Sequence, residues 1–374
     1  MKEKSRVLIL TTAYLPQIGG SELAIKNITD RLSEIRFDLI TSRLSKDVPE
    51  YEKNGNVNVY RVGQTIGLFS FLLPKNFLPV AVLLKAVKLI RKQGLYDAIH
   101  AYQASQAAGG GWLLKWIYPK IPFLLTMQEG KDLNKQPWLM RFFRHLIFRK
   151  ANAATVISNY LAQYVRSQNS RMTISVVPNG VDIGKFQPDS GHSPKTIITI
   201  SRLVEKNGLR DLIDAIAIVK KEIPDIKLLV IGDGEQAEEL KIKSSLLELK
   251  DNIEFTGEVS PDRLPQYLAG ANIFVRPSLS EGLGTAFLEA MASGLPIIGT
   301  PVGGIPDFLK DGETGLFCRV KDPEDIAEKI KRILTDDDLR NRLILNGRKL
   351  VEEKYTWDKI AGKFREIYRN CVIK

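Results

Sequence analysis

Short runs of apolar residues alternate along the chain with longer segments in which apolar positions recur at helical spacing. The short runs predict buried strands, and the segments between them predict amphipathic helices. A regular alternation of strands and helices is typical of parallel sheets whose strands are joined by crossover helices. The predicted strands are 7–10, 37–41, 57–61, 98–101, 123–126, 154–157 and 175–177 in the first half, and 196–200, 227–231, 253–256, 273–276, 297–299 and 315–317 in the second.

This alternation continues over 374 residues, which is about twice the usual size of one domain. We therefore predict two α/β domains, each a doubly wound sheet, over residues 1–180 and 181–356. A final helical pattern covers 357–374. Residues 178–182 and the polar stretch 187–194 predict the linker and turn between the two domains.

Positive charge is concentrated in the first half of the chain. Residues 1–180 hold 25 Lys and Arg against 11 Asp and Glu, a net charge of +14, whereas residues 181–374 carry a net charge of −3. A basic half indicates an acidic partner, which is a nucleic acid, an anionic membrane or a phosphorylated acceptor. Because no nucleic-acid-binding motif accompanies the charge, nucleic acid is the least favoured of the three.

The cysteine and histidine content is low: two cysteines, Cys318 and Cys371, and three scattered histidines. It argues against a disulfide framework and against a metal site, and it favours a reducing compartment. The first residues lack the pattern of a signal peptide, and no run reaches the ~20 apolar residues of a spanning helix. We expect a cytoplasmic protein that holds no metal and no other cofactor.

The segment 281–289 carries two carboxylates, Glu281 and Glu289, eight positions apart. Between them lie a glycine-rich turn, formed by Gly282, Leu283 and Gly284, and the predicted start of a helix at Thr285. Backbone N–H groups and the helix dipole at such a junction suit a diphosphate. Glu281 would then lie beside the sugar hydroxyls, and Glu289 would accept from the ribose hydroxyls. The alternative is an ordinary loop-to-helix junction with solvated acids.

The same segment is similar to the E-x7-E signature of the retaining glycosyltransferases of family four. These enzymes have the GT-B fold, in which two Rossmann-like domains face each other across a cleft. Shorter matches follow in the expected order at 19–20, 178–182, 201–206, 232–234 and 289–296. The resemblance implies that the helix over 357–374 crosses back onto the first domain.

Further site residues follow from this resemblance. Arg202 and Lys206, at the end of the first strand of the second domain, would neutralise the diphosphate leaving group, whereas without the resemblance they read as solvated cations. Gly19 and Gly20 would let the backbone approach the donor, or they form only a turn. Gln128 stands where many members of the family carry a histidine, and we expect it to orient a sugar hydroxyl. We interpret Gly232 and Gly234 as packing requirements, and His100 as a hydrogen-bonded residue at the edge of the core.

The resemblance implies a metal-independent transferase that moves a hexose from a nucleotide diphosphate sugar to an acceptor hydroxyl. Uridine, guanosine and adenosine donors all suit such a site. Departure of the diphosphate and attack by the acceptor would occur on the same face of the sugar. A sugar-nucleotide epimerase shares the two-domain architecture, and a non-catalytic sugar-nucleotide sensor would keep the cleft. The four intact polar residues Glu281, Glu289, Arg202 and Lys206 argue against a sensor.

The basic charge and two apolar segments of the first domain favour a membrane lipid or lipid-linked saccharide as acceptor, in the synthesis of cell-envelope glycans. The protein would bind an anionic membrane peripherally, at the cytoplasmic face. The first segment, 66–74, predicts a lipid-docking lip or a buried loop. The second, 137–150, predicts a helix with one apolar and one basic face: the apolar face is Leu139, Phe143, Leu146 and Ile147, and the basic face is Arg141, Arg144, His145 and Arg149 with Trp138 and Phe148. A solvated basic face and a soluble transferase making a disaccharide or polysaccharide are the alternatives.

Overall fold

The computed structural model describes residues 5–17, 19–45, 47–64, 74–130, 136–188 and 195–372. The chain divides into two compact units. The first runs to Asn179 and resumes at Trp357, and the second runs from Gly180 to Thr356. Each unit is an α/β fold built on one sheet, and the predicted doubly wound architecture is confirmed for both.

Over its described residues, the first unit has an eight-stranded sheet in the order β3-β4-β2-β1-β5-β6-β7-β8. Its strands are β1 (Arg6–Leu10), β2 (Arg36–Arg43), β3 (Tyr51–Asn54), β4 (Val57–Gln64), β5 (Ala98–Tyr102), β6 (Phe123–Met127), β7 (Ala153–Val156) and β8 (Thr173–Val176). β3 pairs antiparallel with β4, and the other pairs are parallel. The sequence did not predict β3 because this edge strand lacks buried apolar residues.

The helices of the first unit are α1 (Gly20–Arg31), α2 (Pro74–Gln93), α3 (Gln106–Ile117), α4 (Trp138–Lys150), α5 (Asn159–Gln168) and α12 (Trp357–Val372). The last of these, α12, packs beside α1 and buries Ile360, Phe364 and Tyr368 in the same core as β1 and β2. Arg31 also forms an ion pair with Asp358 at 2.8 Å. The predicted return of the C-terminal helix to the first unit is therefore confirmed.

Over 195–356, the second unit has a six-stranded sheet in the order β11-β10-β9-β12-β13-β14, and its pairs are parallel. The strands are β9 (Thr196–Ile200), β10 (Lys227–Ile231), β11 (Ile253–Gly257), β12 (Ile273–Arg276), β13 (Ile297–Gly299) and β14 (Leu316–Phe317). The helices are α6 (Leu209–Lys220), α7 (Ala237–Leu246), α8 (Leu264–Ala269), α9 (Thr285–Ala292), α10 (Pro323–Thr335) and α11 (Asp337–Lys354). Strand positions agree with the prediction to within one or two residues.

Strand order identifies one edge in each sheet where a ligand fits. The order changes direction between β1 and β5 in the first unit and between β9 and β12 in the second. Loops that leave the carboxyl ends of two such strands diverge to opposite faces, and the crevice between them is the usual ligand site of doubly wound sheets. Gly19 lies in the loop after β1, and Glu281 lies in the loop after β12.

Among the described residues, none of the helices combines the length and the apolarity that crossing a bilayer requires.

Candidate active site

A glycine turn leads into α9, which begins at Thr285 as predicted. Gly284 is the N-cap and has a φ of +90°, in the left-handed region. A Cβ at Gly284 would lie 2.8 Å from the Phe287 ring and 2.9 Å from Nη2 of Arg276. Only glycine suits this position, because it tolerates both the backbone conformation and the close approach of the two side chains. Gly282 and Leu283 are buried in the same turn.

Glu281 is fixed at the head of this turn. One carboxylate oxygen accepts a hydrogen bond from Nη2 of Arg276 at 2.6 Å, and the other accepts from the backbone N–H of Gly282 at 2.9 Å. Its carbonyl oxygen accepts from the N–H of Gly304 at 3.1 Å. These contacts hold the carboxylate in one orientation at the carboxyl end of β12, and they leave it lone pairs for a further donor.

Arg276 is the site residue that the sequence analysis missed. It closes β12, is almost fully buried, and lies over the ring of Phe287 at 4.8 Å from the ring centroid. Its Nη1 donates to the carbonyl oxygen of Ile200 at 3.3 Å, which ties β12 to β9. A buried guanidinium requires a counter-charge, and Glu281 supplies it. The signal in the sequence is a charged residue that ends an otherwise apolar strand.

Glu289 lies on α9 and is half-buried. Burial raises the pKa of its carboxyl to about 7, and the nearby charge of Arg276 opposes the rise. A carboxyl with this pKa changes its charge near neutral pH, so its capacity to accept hydrogen bonds from a ligand varies there.

Arg202 and Lys206 lie beyond the end of β9. Ile200 is the last residue of the strand; Arg202 is exposed in the loop that follows, and Lys206 belongs to the 3-10 helix Glu205–Asn207. The prediction that they end the strand itself is wrong by two or more residues, because the strand pattern does not show where β9 bends into this turn.

The loop after β9 packs against the loop that leads to Glu281. The carbonyl oxygen of Lys206 accepts from the backbone N–H of Leu279 at 2.7 Å and of Ser280 at 3.3 Å. Gly208 fits closely here, since a Cβ would lie 2.0 Å from the carbonyl oxygen of Pro277. The structure thus joins the backbone of Lys206 to the segment just before Glu281. Gly232 and Gly234 face the same loop: a Cβ on either would lie within 2.5 Å of a carbonyl oxygen, that of Ser201 or of Leu203, so both are packing requirements, as predicted.

In the first unit, Gly19 is the N-cap of α1 and Gly20 is the first residue of the helix. A Cβ on Gly19 would lie 2.5 Å from Oε2 of Glu22, whereas a Cβ on Gly20 would have no heavy atom closer than 3.9 Å. Glu22 itself is buried. The glycine at position 19 therefore makes room for a carboxylate of the protein itself at the start of α1, a contact that the sequence analysis missed.

Gln128 follows β6 directly. Its backbone N–H donates to the side chain of Gln103 at 3.2 Å. Its Oε1 is buried and has no hydrogen-bond partner among the described residues. Because buried amide oxygens are nearly always paired, this one is suited to accept from a ligand.

His100 is a buried core residue. Its Nδ1 lies 2.6 Å from the Tyr368 hydroxyl, and its Nε2 lies 2.5 Å from Oγ1 of Thr126. Burial lowers the pKa of the imidazole to about 3, so the ring is neutral at physiological pH. The prediction of a hydrogen-bonded structural histidine is confirmed.

The prediction for the two faces of the 137–150 segment is wrong in part. α4 forms, but Arg144 and Phe148 are buried whereas Leu139 and Phe143 are exposed. Arg144 donates to the side chain of Gln136 at 2.6 Å and pairs with Glu129 at 3.5 Å. The period of the helix does not reveal that Glu129, after β6, supplies a partly buried counter-charge and that Arg144 turns inward to meet it.

The other predicted membrane element, residues 66–74, lies outside the described residues apart from its last position, which begins α2. Among the residues that are described, no three His, Cys, Asp or Glu side chains form a group that could hold a metal ion.

Two family models match the chain. Residues 18–185 match Glycosyltransferase Family 4, and residues 182–350 match Glycosyl transferases group 1. Both halves of the chain therefore match models of glycosyltransferase domains.

The proteins to which the chain is similar are named for different reactions. N-acetyl-alpha-D-glucosaminyl L-malate synthase of Bacillus anthracis is 29% identical over 96% of this chain and 95% of its own. A GDP-mannose-dependent alpha-(1-6)-phosphatidylinositol monomannoside mannosyltransferase of Mycobacterium tuberculosis is 28% identical over 66% of this chain and 69% of its own. In fold, the chain is similar to a sucrose-phosphate synthase from Thermosynechococcus elongatus, with a TM-score of 0.83, 22% identity, and coverage of 98% of this chain and 99% of that one. The predicted GT-B fold class is confirmed.

Proposed function

We propose that this chain, whose two halves match the models Glycosyltransferase Family 4 and Glycosyl transferases group 1, transfers a hexose from a nucleotide diphosphate sugar to an acceptor hydroxyl with retention of configuration. One observation carries the proposal. The loop with Arg202 and Lys206 is hydrogen-bonded to the segment that leads to Glu281, so two cations, a helix N-terminus and a fixed carboxylate share one sheet edge. A nucleotide diphosphate sugar needs this set of groups.

Each group has a separate role in donor binding. Arg202, Lys206 and the backbone N–H groups at Gly284 and Thr285 neutralise the diphosphate as negative charge develops on it. Glu281 accepts hydrogen bonds from the sugar hydroxyls, and Arg276 holds it in place. Glu289 accepts from the ribose, and Gly282 and Leu283 shape the turn. From the first unit, we propose that Gly19 and Gly20 lie near the donor and that Gln128 orients a sugar hydroxyl.

The proposed reaction needs no protein nucleophile and no metal. As the bond from the sugar to the diphosphate breaks, positive charge develops on the sugar. The acceptor oxygen attacks from the same face, and the departing phosphate oxygen takes the acceptor proton. The two cations supply the charge stabilisation that a metal ion supplies in other transferases.

For the acceptor, we propose a membrane lipid or a lipid-linked saccharide used in cell-envelope glycans. Three observations support this choice. Residues 1–180 carry a net charge of +14, α4 exposes Trp138 and Phe142, and the mycobacterial relative is named for a phosphatidylinositol mannoside acceptor. The alternative is a soluble acceptor, which the N-acetyl-alpha-D-glucosaminyl L-malate synthase of Bacillus anthracis favours by its name.

Nucleotide and acceptor assays test the proposal together. Thermal shifts with uridine, guanosine and adenosine diphosphates and their sugars identify the donor, because a ligand at 100 times its Kd stabilises by about 2.7 kcal/mol. Release of nucleotide should then require an acceptor and should persist in EDTA. Interconversion of sugar nucleotides would identify an epimerase instead, and binding without release in the presence of lipid extracts and simple sugars would indicate a sensor. Loss of activity in EDTA that Mg²⁺ or Mn²⁺ restores would overturn metal independence.

Donor affinity should depend on pH through Glu289. Burial raises the pKa of this carboxyl to about 7, so the charged form that accepts two ribose hydrogen bonds is lost as the pH falls below that value. The donor KM should rise by up to about tenfold between pH 8 and pH 6. Glu289→Gln should have a high KM that is independent of pH over this range. A flat KM profile for the wild type would contradict the assignment.

Peripheral membrane binding is the fourth part of the proposal. The exposed cations Arg141 and Arg149 lie on α4 among exposed apolar side chains, and each basic residue near an anionic surface contributes ~1 kcal/mol. Co-sedimentation with anionic vesicles should exceed that with neutral vesicles and should fall with salt. The double variant Arg141→Glu with Arg149→Glu should bind anionic vesicles at least about tenfold more weakly than the wild type. The same charge changes at the exposed Lys221 and Lys250 of the second unit are the control. Equal loss in both variants would argue against α4 as the docking face.

A further inference from the structure

A groove of about 500 Å³ lies in the first unit between α2, α3 and α4. Its walls are mainly apolar: Pro79 from α2, Gly109 and Trp112 from α3, and Met140, Phe143 and Ile147 from α4. This volume is in the range of small-molecule sites. The walls offer a sugar few hydrogen-bond partners but offer a hydrocarbon chain continuous contact.

On the side formed by α4, the groove borders an exposed apolar surface. On α4, Trp138, Leu139, Met140, Phe142 and Phe143 are all exposed, and Trp138 keeps 75% of its surface in contact with solvent. Soluble monomers rarely expose a contiguous apolar patch of this kind unless it binds a partner or a membrane. A chain could therefore enter the groove from an apolar surrounding without crossing water.

The part of the groove formed by the start of α3 is polar and lies near the carboxyl end of β5, at the sheet edge where ligands bind. Ser105 and Gln106 line the groove and follow β5. The Ser105 hydroxyl lies 2.9 Å from that of Thr12, which follows β1, the neighbouring strand. The buried Arg144 also lines the groove; its guanidinium pairs with Glu129 at 3.5 Å, and its Nε has no hydrogen-bond partner among the described residues. The groove thus borders an apolar surface on α4 and carries polar groups at the start of α3 and on α4.

The charge around the groove selects an anionic occupant. α4 contains no acidic residue, and it exposes Arg141, His145 and Arg149 beside the apolar residues. Lys150 lies over the ring of Trp116, 3.8 Å from its centroid. An apolar chain that carries a negatively charged head matches both the walls and the rim.

We propose that the groove between α2, α3 and α4 binds one hydrocarbon chain of the acceptor lipid, whose anionic head then lies at Ser105 and Arg144. The identity of the occupant as acceptor rests on the transferase function proposed above. The groove makes the first unit specific for acceptors with a chain, because a soluble acceptor leaves it empty.

Binding of n-alkyl phosphates to the full chain tests this without nucleotide or turnover. Inorganic phosphate, butyl phosphate, octyl phosphate and dodecyl phosphate, each below its critical micelle concentration, are compared by titration calorimetry. Affinity should rise about fourfold for each buried methylene and level off when the groove is full. Equal affinity for inorganic phosphate and dodecyl phosphate would show an anion site alone and would overturn the proposal.

Two neighbouring phenylalanines provide a matched pair of variants. Phe143 lines the groove, whereas Phe142 does not, and the two are 55% and 51% exposed on the same helix. Phe143→Ser should lower the affinity for dodecyl phosphate at least about tenfold and leave the affinity for butyl phosphate unchanged. Phe142→Ser should bind both ligands as the wild type does. Equal losses would mean adsorption to the apolar surface and would contradict a groove. If Phe143→Ser fails to fold, Met140→Ser with Trp138→Ser as control makes the same comparison.

Failure of the groove and failure of the transferase function give different results. If the affinity for alkyl phosphates depends on chain length but no sugar is transferred, the proposed groove is supported and the transferase function is overturned. The wild type and Phe143→Ser could instead both transfer sugar to short-chain and long-chain acceptors with the same kcat/KM. That result would support the transferase function and overturn the proposal that the groove binds the acceptor chain. A protein partner that competes with dodecyl phosphate while lipids do not would also overturn it.

Discussion

Replacing Lys206 or Arg202 by alanine should lower kcat/KM for the donor by about 10- to 150-fold in each case. Removing one charge-assisted contact costs ~1.5–3 kcal/mol, and the cost is larger for a contact that strengthens as charge develops on the leaving diphosphate. The loss should appear in kcat as well as in KM. Thermal shifts with nucleotide diphosphate should shrink in both variants.

The variant Lys206→Ala preserves the backbone contacts of this loop. The hydrogen bonds from Leu279 and Ser280 end on the backbone carbonyl of Lys206, so alanine keeps them. Unfolding temperatures without ligand are measured for both variants, so that a loss of stability is separated from a loss of turnover. Lys221→Ala, at an exposed position on the same unit, is the control. Turnover near the wild-type level in both Arg202→Ala and Lys206→Ala would remove the two cations from the site.

The sequence predicted the strands and helices correctly where their burial gives the apolar residues a clear pattern along the chain. Strands such as β10 and β12 are apolar apart from one charged residue at an end, and their bounds agree with the prediction. β3 failed this criterion, because an edge strand that pairs with β4 through its backbone needs no apolar side chains. The strand order and the register of the two sheets were not predicted, because no single residue in the sequence determines them.

The site was predictable only where backbone geometry requires a particular residue type. Gly284 marks a left-handed N-cap, and the sequence shows it directly. Arg276 and Glu22 were not found, because their roles depend on partners brought together by tertiary structure: Glu281 for one and Gly19 for the other. The same reason explains the error at Arg144, whose counter-charge, Glu129, lies outside the helix used for the prediction.

Arg276 holds a position where the effect on activity and the effect on stability can be separated. Its Nη2 contacts Glu281 at 2.6 Å, both side chains are largely buried, and Nη1 ties β12 to β9. Removing one partner of a buried ion pair costs ~3–5 kcal/mol, because the other charge is left without compensation. Arg276→Leu should therefore lower both the unfolding temperature and kcat/KM for the donor, the latter by at least about a hundredfold.

The double variant Arg276→Leu with Glu281→Gln distinguishes a positioning role from a structural one. The neutral amide no longer needs a counter-charge, so the unfolding temperature should recover most of the loss seen in Arg276→Leu. Activity should not recover, because glutamine lacks the carboxylate that accepts from the sugar hydroxyls and no guanidinium fixes its orientation. Arg276→Lys keeps the charge but not the planar two-nitrogen geometry, and it should retain stability better than kcat/KM. If activity recovers together with stability in the double variant, the pair only supports the fold. Glu281 would then not be the group that accepts hydrogen bonds from the sugar hydroxyls.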